Sequence, residues 1–421
     1  MHTADQPASD SGGAPTTDSG TTDSGTTDSG TTCPKWYGLH IHRYTDQDTF
    51  LTDAVAPAVA PLYGTGEIDR AFFLRYWQGG HHIRLRFRLT GHAPESGERA
   101  VRDVADRLSA HLAAFPGGYG YAPEEFRAAQ ATMAALESEA TDELRPPDSV
   151  HRVPYVPEYG KYGGEAGVDI AERFFDRSSA VALAALAGIG GSSAKRLGTA
   201  FSAMLRGLSA ARLSPAGMRD FFAHYCVVWS PYVFDQFLDT WPDLLRQRRD
   251  TAAAYAGRLL GPPNPGPSSS PDTSSADPFG RAVGEAWRAL TESAGTVLPA
   301  VTLGGPDAPA RRRQQIVLLS YLHTHNNRLG LIPEQESFLG YLGHHVVSDC
   351  AGLDPSPELL DRVREHRRER LGAPPRTFPL PPSRSEHLPQ CAPPIVSTSR
   401  SEHLPQCAPP VVCTSRSEHL P

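Results

Sequence analysis

Two stretches near the start of this chain alternate between apolar and polar positions, and most of the rest cycles with a helical period. Trp36-Tyr37-Gly38-Leu39-His40-Ile41-His42-Arg43-Tyr44 reads as a strand. The second alternation is sharper. From Ile83, the apolar Ile83, Leu85 and Phe87 interleave with Arg84, Arg86 and Arg88, as in a strand with one buried face. Between the two, residues 48–62 read as a helix with a kink at Pro57, and Gly64-Thr65-Gly66 as a turn. Residues 70–78 lead into the arginine strand. A strand, a helix and a returning strand suggest a split β-α-β half.

Helical periodicity then takes over. Residues 98–115 place Val101, Val104, Leu108 and Leu112 on one face. At 123–136, Pro123 suits a first helical position and Glu124 and Glu125 suit a first turn. Residues 145–165 carry Pro146, Pro147, Pro154 and Pro157 and end at Gly163-Gly164, which predicts a long loop. Further helices are expected at 167–188, 192–212, 215–228, 231–257, 279–294, 310–329, 333–347 and 356–370. The Pro- and Ser-rich stretch 261–278 reads as a flexible insertion. The expected fold is α+β, with a small N-terminal mixed or antiparallel sheet and a mainly helical C-terminal half.

Composition limits where that fold lies in the 421 residues. Residues 1–34 hold TTDSG three times in tandem and almost no large apolar side chain, so they are expected to be disordered. SRSEHLPQCAPP begins at Ser383 and Ser399, and Ser415 opens a shortened copy, so 376–421 are also read as a disordered Pro-rich tail. The folded domain is therefore expected at 35–375. The net charge of −7 does not favour direct nucleic-acid binding. There is no 18-residue apolar run and no signal-peptide layout, so neither a membrane span nor export is expected. Only Cys226 and Cys350 of the six cysteines fall in the core, which reads as cytoplasmic usage with no disulfide framework or zinc pattern.

Three segments carry candidate chemistry. Arg84, Arg86 and Arg88 stand about 7 Å apart on one strand face and repel unless anions join them. His81 and His82 precede them, and guanidinium grips carboxylate or phosphate with two parallel hydrogen bonds. The face reads either as the floor of an anion site or as a surface strand paired with Asp and Glu. The second segment, Tyr155-Val156-Pro157-Glu158-Tyr159-Gly160-Lys161-Tyr162-Gly163-Gly164, puts Glu158, Lys161 and three tyrosines on one loop. It reads as a functional loop or as a rigid connector. The third, Ser320-Tyr321-Leu322-His323-Thr324-His325-Asn326-Asn327-Arg328, lies near a helix end. His323 shares a face with Asn327 and His325 with Arg328, and capping by Asn327 and Arg328 is the alternative role. His323 and His325 lie about 200° apart around a helix, so one of them is expected to enter a site.

Together, in this order and spacing, the three segments resemble the free-standing C-terminal domain of lantibiotic dehydratases, the thiopeptide-type bacteriocin biosynthesis protein. That family shows a strand like PHLRLRF, a loop like YxPExxRYGG and a late helix like SLIHMxxNRL. The resemblance covers roughly residues 35–372. It implies a leader-bearing precursor peptide as substrate and an upstream glutamyl-tRNA-dependent dehydratase as partner. It implies no metal or organic cofactor, and family members often form homodimers. In the eliminating branch, Arg84 and Arg86 would hold glutamate and His323 would move the proton. The family's second catalytic arginine falls on Lys161 here, which keeps the charge and loses the two-pronged grip. The other branch makes pyridine rings by a formal four-plus-two cycloaddition of two dehydroalanines, with loss of water and leader. Tyr155, Tyr159, Tyr162, His81, His82, His323 and His325 suit that chemistry. The expected catalytic set is His323, Lys161, Arg84, Arg86 and Tyr162. The expected substrate contacts are His82, Arg88, Glu158, Tyr155, Tyr159, His325, Asn327 and Arg328. A non-catalytic leader-binding module is a third reading.

Overall fold

The computed structural model describes residues 36–90, 94–137, 140–260, 277–303, 305 and 307–371. The expected tails at 1–34 and 376–421, and all of the expected insertion except 277–278, lie outside the described residues.

The alternating runs become β1 (Trp36–His42) and β3 (His82–Leu89). A first helix, α1, runs through Gln47–Phe50, a π turn at Leu51–Val55, and Ala56–Gly64. The π turn ends two residues before Pro57, whose ring crowds the preceding turn and whose missing N–H cannot bond it. β2 (Ile68–Tyr76) returns and forms a hairpin with β3, turning at Gly79 and Gly80 with φ of 70° and 112°. The strand order is β2-β3-β1-β4, with every neighbouring pair antiparallel. β1 and β2 therefore run parallel with β3 inserted between them, which is the split β-α-β arrangement. Helices α2 (Pro94–Ala114) and α3 (Pro123–Glu137) precede the last strand, β4 (Ser149–Val153).

Ile83, Leu85 and Phe87 are 0–2% exposed, together with Leu39 and Ile41 of β1. Val101, Val104, Leu108 and Leu112 of α2 join them in one core. The opposite face carries the arginines and turns toward the helical half.

That half contains α4 (Gly164–Ile189), α5 (Ser193–Ala210), α6 (Pro215–Trp229), α7 (Trp241–Leu260), α8 (Pro278–Glu292), α9 (Ala310–Leu329), α10 (Pro333–Ala351) and α11 (Leu359–Leu371). Side chains from α4 and α9 seal the outer edge of β2. The backbone N–H groups of Ala71, Phe73 and Arg75 donate to Asp176, Ser179 and Asn327 at 2.9, 3.2 and 2.8 Å. Alternate residues of an edge strand expose their N–H groups on one side, and here each such group finds an acceptor. Among the described residues, no helix is long and apolar enough to cross a membrane.

Two expectations are corrected. The loop expected at 145–165 contains β4 and a helical turn at Tyr159–Tyr162. Its prolines flank the strand rather than interrupt it, and the open edge of β1 supplies the pairing. The helix expected at 231–257 starts only at Trp241, after short turns at Ser230–Tyr232 and Asp235–Leu238. Pro242 stands at its beginning, where a missing N–H costs nothing.

Candidate active site

The face of the sheet toward the helices is built in rows. Register sets Phe72 beside Arg86, Leu74 beside Arg84, and Tyr76 beside His82. His40 lies between Arg84 and His151 across the sheet. His40, His42 and His82 pack ring to ring at 4.7 and 4.8 Å, and His151 meets His42 at 5.2 Å. Burial holds His82 neutral, lowering its pKa to about 2, and likewise lowers His40 to about 3 and His42 to about 4. His82 Nδ1 lies 2.8 Å from the Gly80 carbonyl, so that nitrogen is the donor. Its Nε2 then accepts from Arg84 Nε at 3.2 Å. These rings stack rather than converge. Among the described residues, no group of three or more His, Cys, Asp or Glu could hold a metal ion.

The arginine ladder does not act as a unit. Arg88 is clamped by Asp69 through two hydrogen bonds. Arg84 lies over the Tyr76 ring at 3.3 Å, a cation–π contact. Arg86 sits between Phe72 and Tyr155, at 5.7 and 5.1 Å from their ring centres. Burial, and then the neighbouring Arg84 charge, lower the Arg86 pKa to about 10. Arg86 has no hydrogen bond or ion pair to another described residue.

The loop borders this region. Lys161 is paired with Glu158 at 3.3 Å, and its Nζ lies 5.3 Å from the Tyr162 ring centre. Tyr162 is buried against Phe175 and Tyr321, and burial raises its phenol well above the usual range. Tyr155 hydrogen-bonds Glu172 and packs on Trp36, whereas Tyr159 is 48% exposed.

The late helix sends its residues in different directions. His325 is buried, stacks on Phe279 at 3.9 Å and meets Ser178 at 2.9 Å. Burial lowers its pKa to about 3. Asn327 uses both ends of its amide on the Arg75 backbone, the pairing that closes the β2 edge. Arg328 is fully buried, with Ser179 and Ser178 at 2.9 and 3.2 Å and the Phe175 ring at 5.0 Å. These three residues serve packing and assembly in this arrangement.

His323 is placed otherwise. It stacks on Trp229 at 4.1 Å, and 24% of its side chain is exposed. Its Nδ1 lies 2.9 Å from Oε1 of Glu336, which is fully buried in the first turn of α10. The other Glu336 oxygen accepts from the Tyr225 hydroxyl and from Asn326 Nδ2, the latter at 3.2 Å. A run of aromatic contacts leads from the sheet to this histidine. Tyr76 packs on Trp77, Trp77 Nε1 donates to Glu137 at 3.1 Å, and Tyr232 reaches the same carboxylate at 3.4 Å. Tyr232 in turn packs on Trp229.

Glu336, Tyr225, Trp229 and the histidines of β1 and β4 are missing from the sequence-based site. The alternation of His40 and His42 with Leu39 and Ile41 was the available signal for the histidine face. Nothing periodic ties Glu336 to a histidine on the preceding helix. An apolar groove of about 420 Å³ lies between α5, α7 and α10, lined by Phe201, Trp241, Leu244, Phe338 and others. None of the expected site residues lines it.

The fold agrees with the comparisons. The family model for the lantibiotic biosynthesis dehydratase C-terminal domain matches residues 36–347. No curated protein matches the chain in sequence. Among solved structures, the pyridine synthase TbtD from thiomuracin biosynthesis superposes with a TM-score of 0.58 at 21% identity, covering 76% of this chain and 99% of that one. TsrL superposes with a TM-score of 0.52 at 18% identity, covering 79% and 99%. At these identities the likeness is one of fold. This chain belongs to the lantibiotic biosynthesis dehydratase C-terminal family.

Proposed function

We propose that this protein is a peptide-modifying enzyme of thiopeptide biosynthesis that joins two dehydroalanines of a leader-bearing precursor peptide. The ring closure is a formal four-plus-two cycloaddition giving a pyridine-type ring and a macrocycle. One dehydroalanine, with the preceding amide in its iminol form, supplies a C=C–N=C unit. The other alkene supplies two carbons, and two carbon–carbon bonds form. Loss of water and of the leader as its amide then gives the aromatic ring.

The observation that carries this reading is how the cations are engaged. Glutamate elimination needs guanidinium or ammonium groups free to grip a carboxylate. Lys161 is held by Glu158, Arg88 by Asp69, and Arg84 by the Tyr76 face and His82. Cycloaddition asks instead for a folded peptide and for protons delivered to departing groups. His323 is the proton-transfer group of this proposal, and Arg84, Arg86, Tyr155 and Tyr162 are assigned to it as peptide-facing groups of the sheet and loop. The fold shared with a pyridine synthase along 99% of that chain supports the same branch.

Arg86, with no carboxylate partner among the described residues, supports the second reading, elimination of glutamate from O-glutamyl serine or threonine. Mass spectrometry separates the two. The purified protein is given one leader-bearing peptide with two dehydroalanines at macrocycle-compatible spacing and another with O-glutamyl serine. Release of leader and water from the first, with a new pyridine chromophore, is the expected result. Loss of glutamic acid from the second instead would replace this proposal with elimination. Tight binding without either product would favour the leader-binding module.

A further inference from the structure

We infer that Glu336 is the positioning residue of His323, fixing its proton on Nδ1 and leaving Nε2 as the nitrogen available to substrate. The inference rests on the proposed role of His323 in proton transfer. An ionised carboxylate only accepts hydrogen bonds, and both Glu336 oxygens are met by donors. Oε1 faces His323 Nδ1 at 2.9 Å. Oε2 takes the Tyr225 hydroxyl and the Asn326 amide N–H. With two donors on Oε2 and the imidazole on Oε1, the consistent arrangement is a carboxylate facing an Nδ1–H.

Two further features bear on the Glu336 carboxyl group. It stands in the first turn of α10, at the positive end of that helix. It is fully buried, so its oxygens meet these protein donors rather than water. The histidine is restrained as well. Trp229 covers its ring at 4.1 Å and 23° between planes, and a flip would exchange the bonded nitrogen for the free one. Nε2 has no hydrogen-bond partner among the described residues, and the ring is partly exposed where Glu336 is not. A buried carboxylate behind a half-exposed imidazole is the arrangement that sets tautomer and orientation in acid–base catalysis. When His323 takes a second proton, at Nε2, the same carboxylate stabilises the imidazolium that then donates it.

The test has one readout without substrate and one with it. Long-range nitrogen–proton NMR of the full chain, labelled in histidine and assigned with His323→Gln, reports which nitrogen of His323 carries the proton. The Nδ1–H form in the wild type is expected. The Nε2–H form as the main neutral species overturns the inference whatever reaction the enzyme performs. Glu336→Gln is expected to lower kcat about 100-fold, with KM within about threefold, on whichever peptide the wild type converts. Tyr225→Phe, which keeps the carboxylate and removes one support, is expected to lower kcat less than Glu336→Gln does. An unchanged kcat in a folded Glu336→Gln also overturns the inference. If Glu336→Gln does not fold, Tyr225→Phe and the wild-type tautomer decide. A wild type that converts neither peptide refutes the functional reading, and the tautomer measurement still judges the pairing.

Discussion

Asn327 lies at the seam between the sheet and the helices, and removing its amide should loosen that seam. Its Oδ1 accepts the Arg75 N–H at 2.8 Å and its Nδ2 donates to the Arg75 carbonyl at 2.9 Å. The side chain thus replaces a missing strand neighbour at the outer edge of β2. Asn327→Ala leaves both backbone groups without a partner in a part-buried position. An unsatisfied buried polar group costs about 1–3 kcal/mol, and water reaches this edge in part, so about 2–4 kcal/mol is expected for the pair. With about 2.1 cal/mol/K per residue over roughly 310 ordered residues, each kcal/mol moves Tm by about 1.5 °C. The expected fall is therefore about 3–6 °C in a thermal melt followed by circular dichroism. Asn327→Asp should lose at least as much, because it keeps the acceptor and sets a negative charge against the carbonyl. A residue that contacts substrate would behave differently, raising KM with little change in Tm. A melting temperature of Asn327→Ala within 1 °C of wild type would refute the seam argument.

Three further outcomes follow from the geometry. His82 and His325 are neutral when folded, with pKa values near 2 and 3, and titrate near 6.5 when unfolded. The unfolded chain therefore binds more protons below pH 6.5, and stability present above that pH is lost as pH falls. At pH 5 the loss is about 2 kcal/mol for each histidine, seen as a falling Tm; His40, His42 and His345, lowered to about 3, 4 and 4, add alike, so His82→Asn should flatten that slope by about a fifth; an unchanged slope would count against the assignment. Gly38→Ala would bring its Cβ to 2.5 Å from the Val153 carbonyl oxygen, so β4 must shift from β1. A loss of about 1–3 kcal/mol in urea unfolding is expected, and a neutral variant would show that β4 yields freely. Lys161→Ala breaks only a half-exposed pair, so it should change stability by less than about 1 kcal/mol and slow cycloaddition far less than His323→Ala does. Equal loss of turnover in the two variants would make Lys161 part of the chemistry.

The alternation of Ile83, Leu85 and Phe87 with arginine was legible because one face of a strand must be buried, and those side chains are 0–2% exposed. The same rule could not show what each arginine would meet. Asp69, Tyr76 and Tyr155 are brought to Arg88, Arg84 and Arg86 by pairing and packing, which spacing in one strand does not encode. β4 was hidden because five residues between prolines carry little pattern, and its partner strand lies more than a hundred residues earlier. On the late helix, opposed directions for His323 and His325 followed from periodicity. That His325 would pack against Phe279, and that Asn327 would pair with a strand edge, depended on elements far away in the chain. Glu336 escaped notice for the same reason, since its tie to His323 exists only once α9 and α10 lie side by side.

The most direct measurement is the intact mass of a leader-bearing peptide with two dehydroalanines after incubation with the full chain. The proposed cycloaddition predicts free leader and a core lighter by one water, absorbing as a pyridine, and predicts that His323→Ala strongly slows both. An unchanged peptide mass from wild type, together with loss of glutamic acid from the O-glutamyl serine peptide, would contradict it.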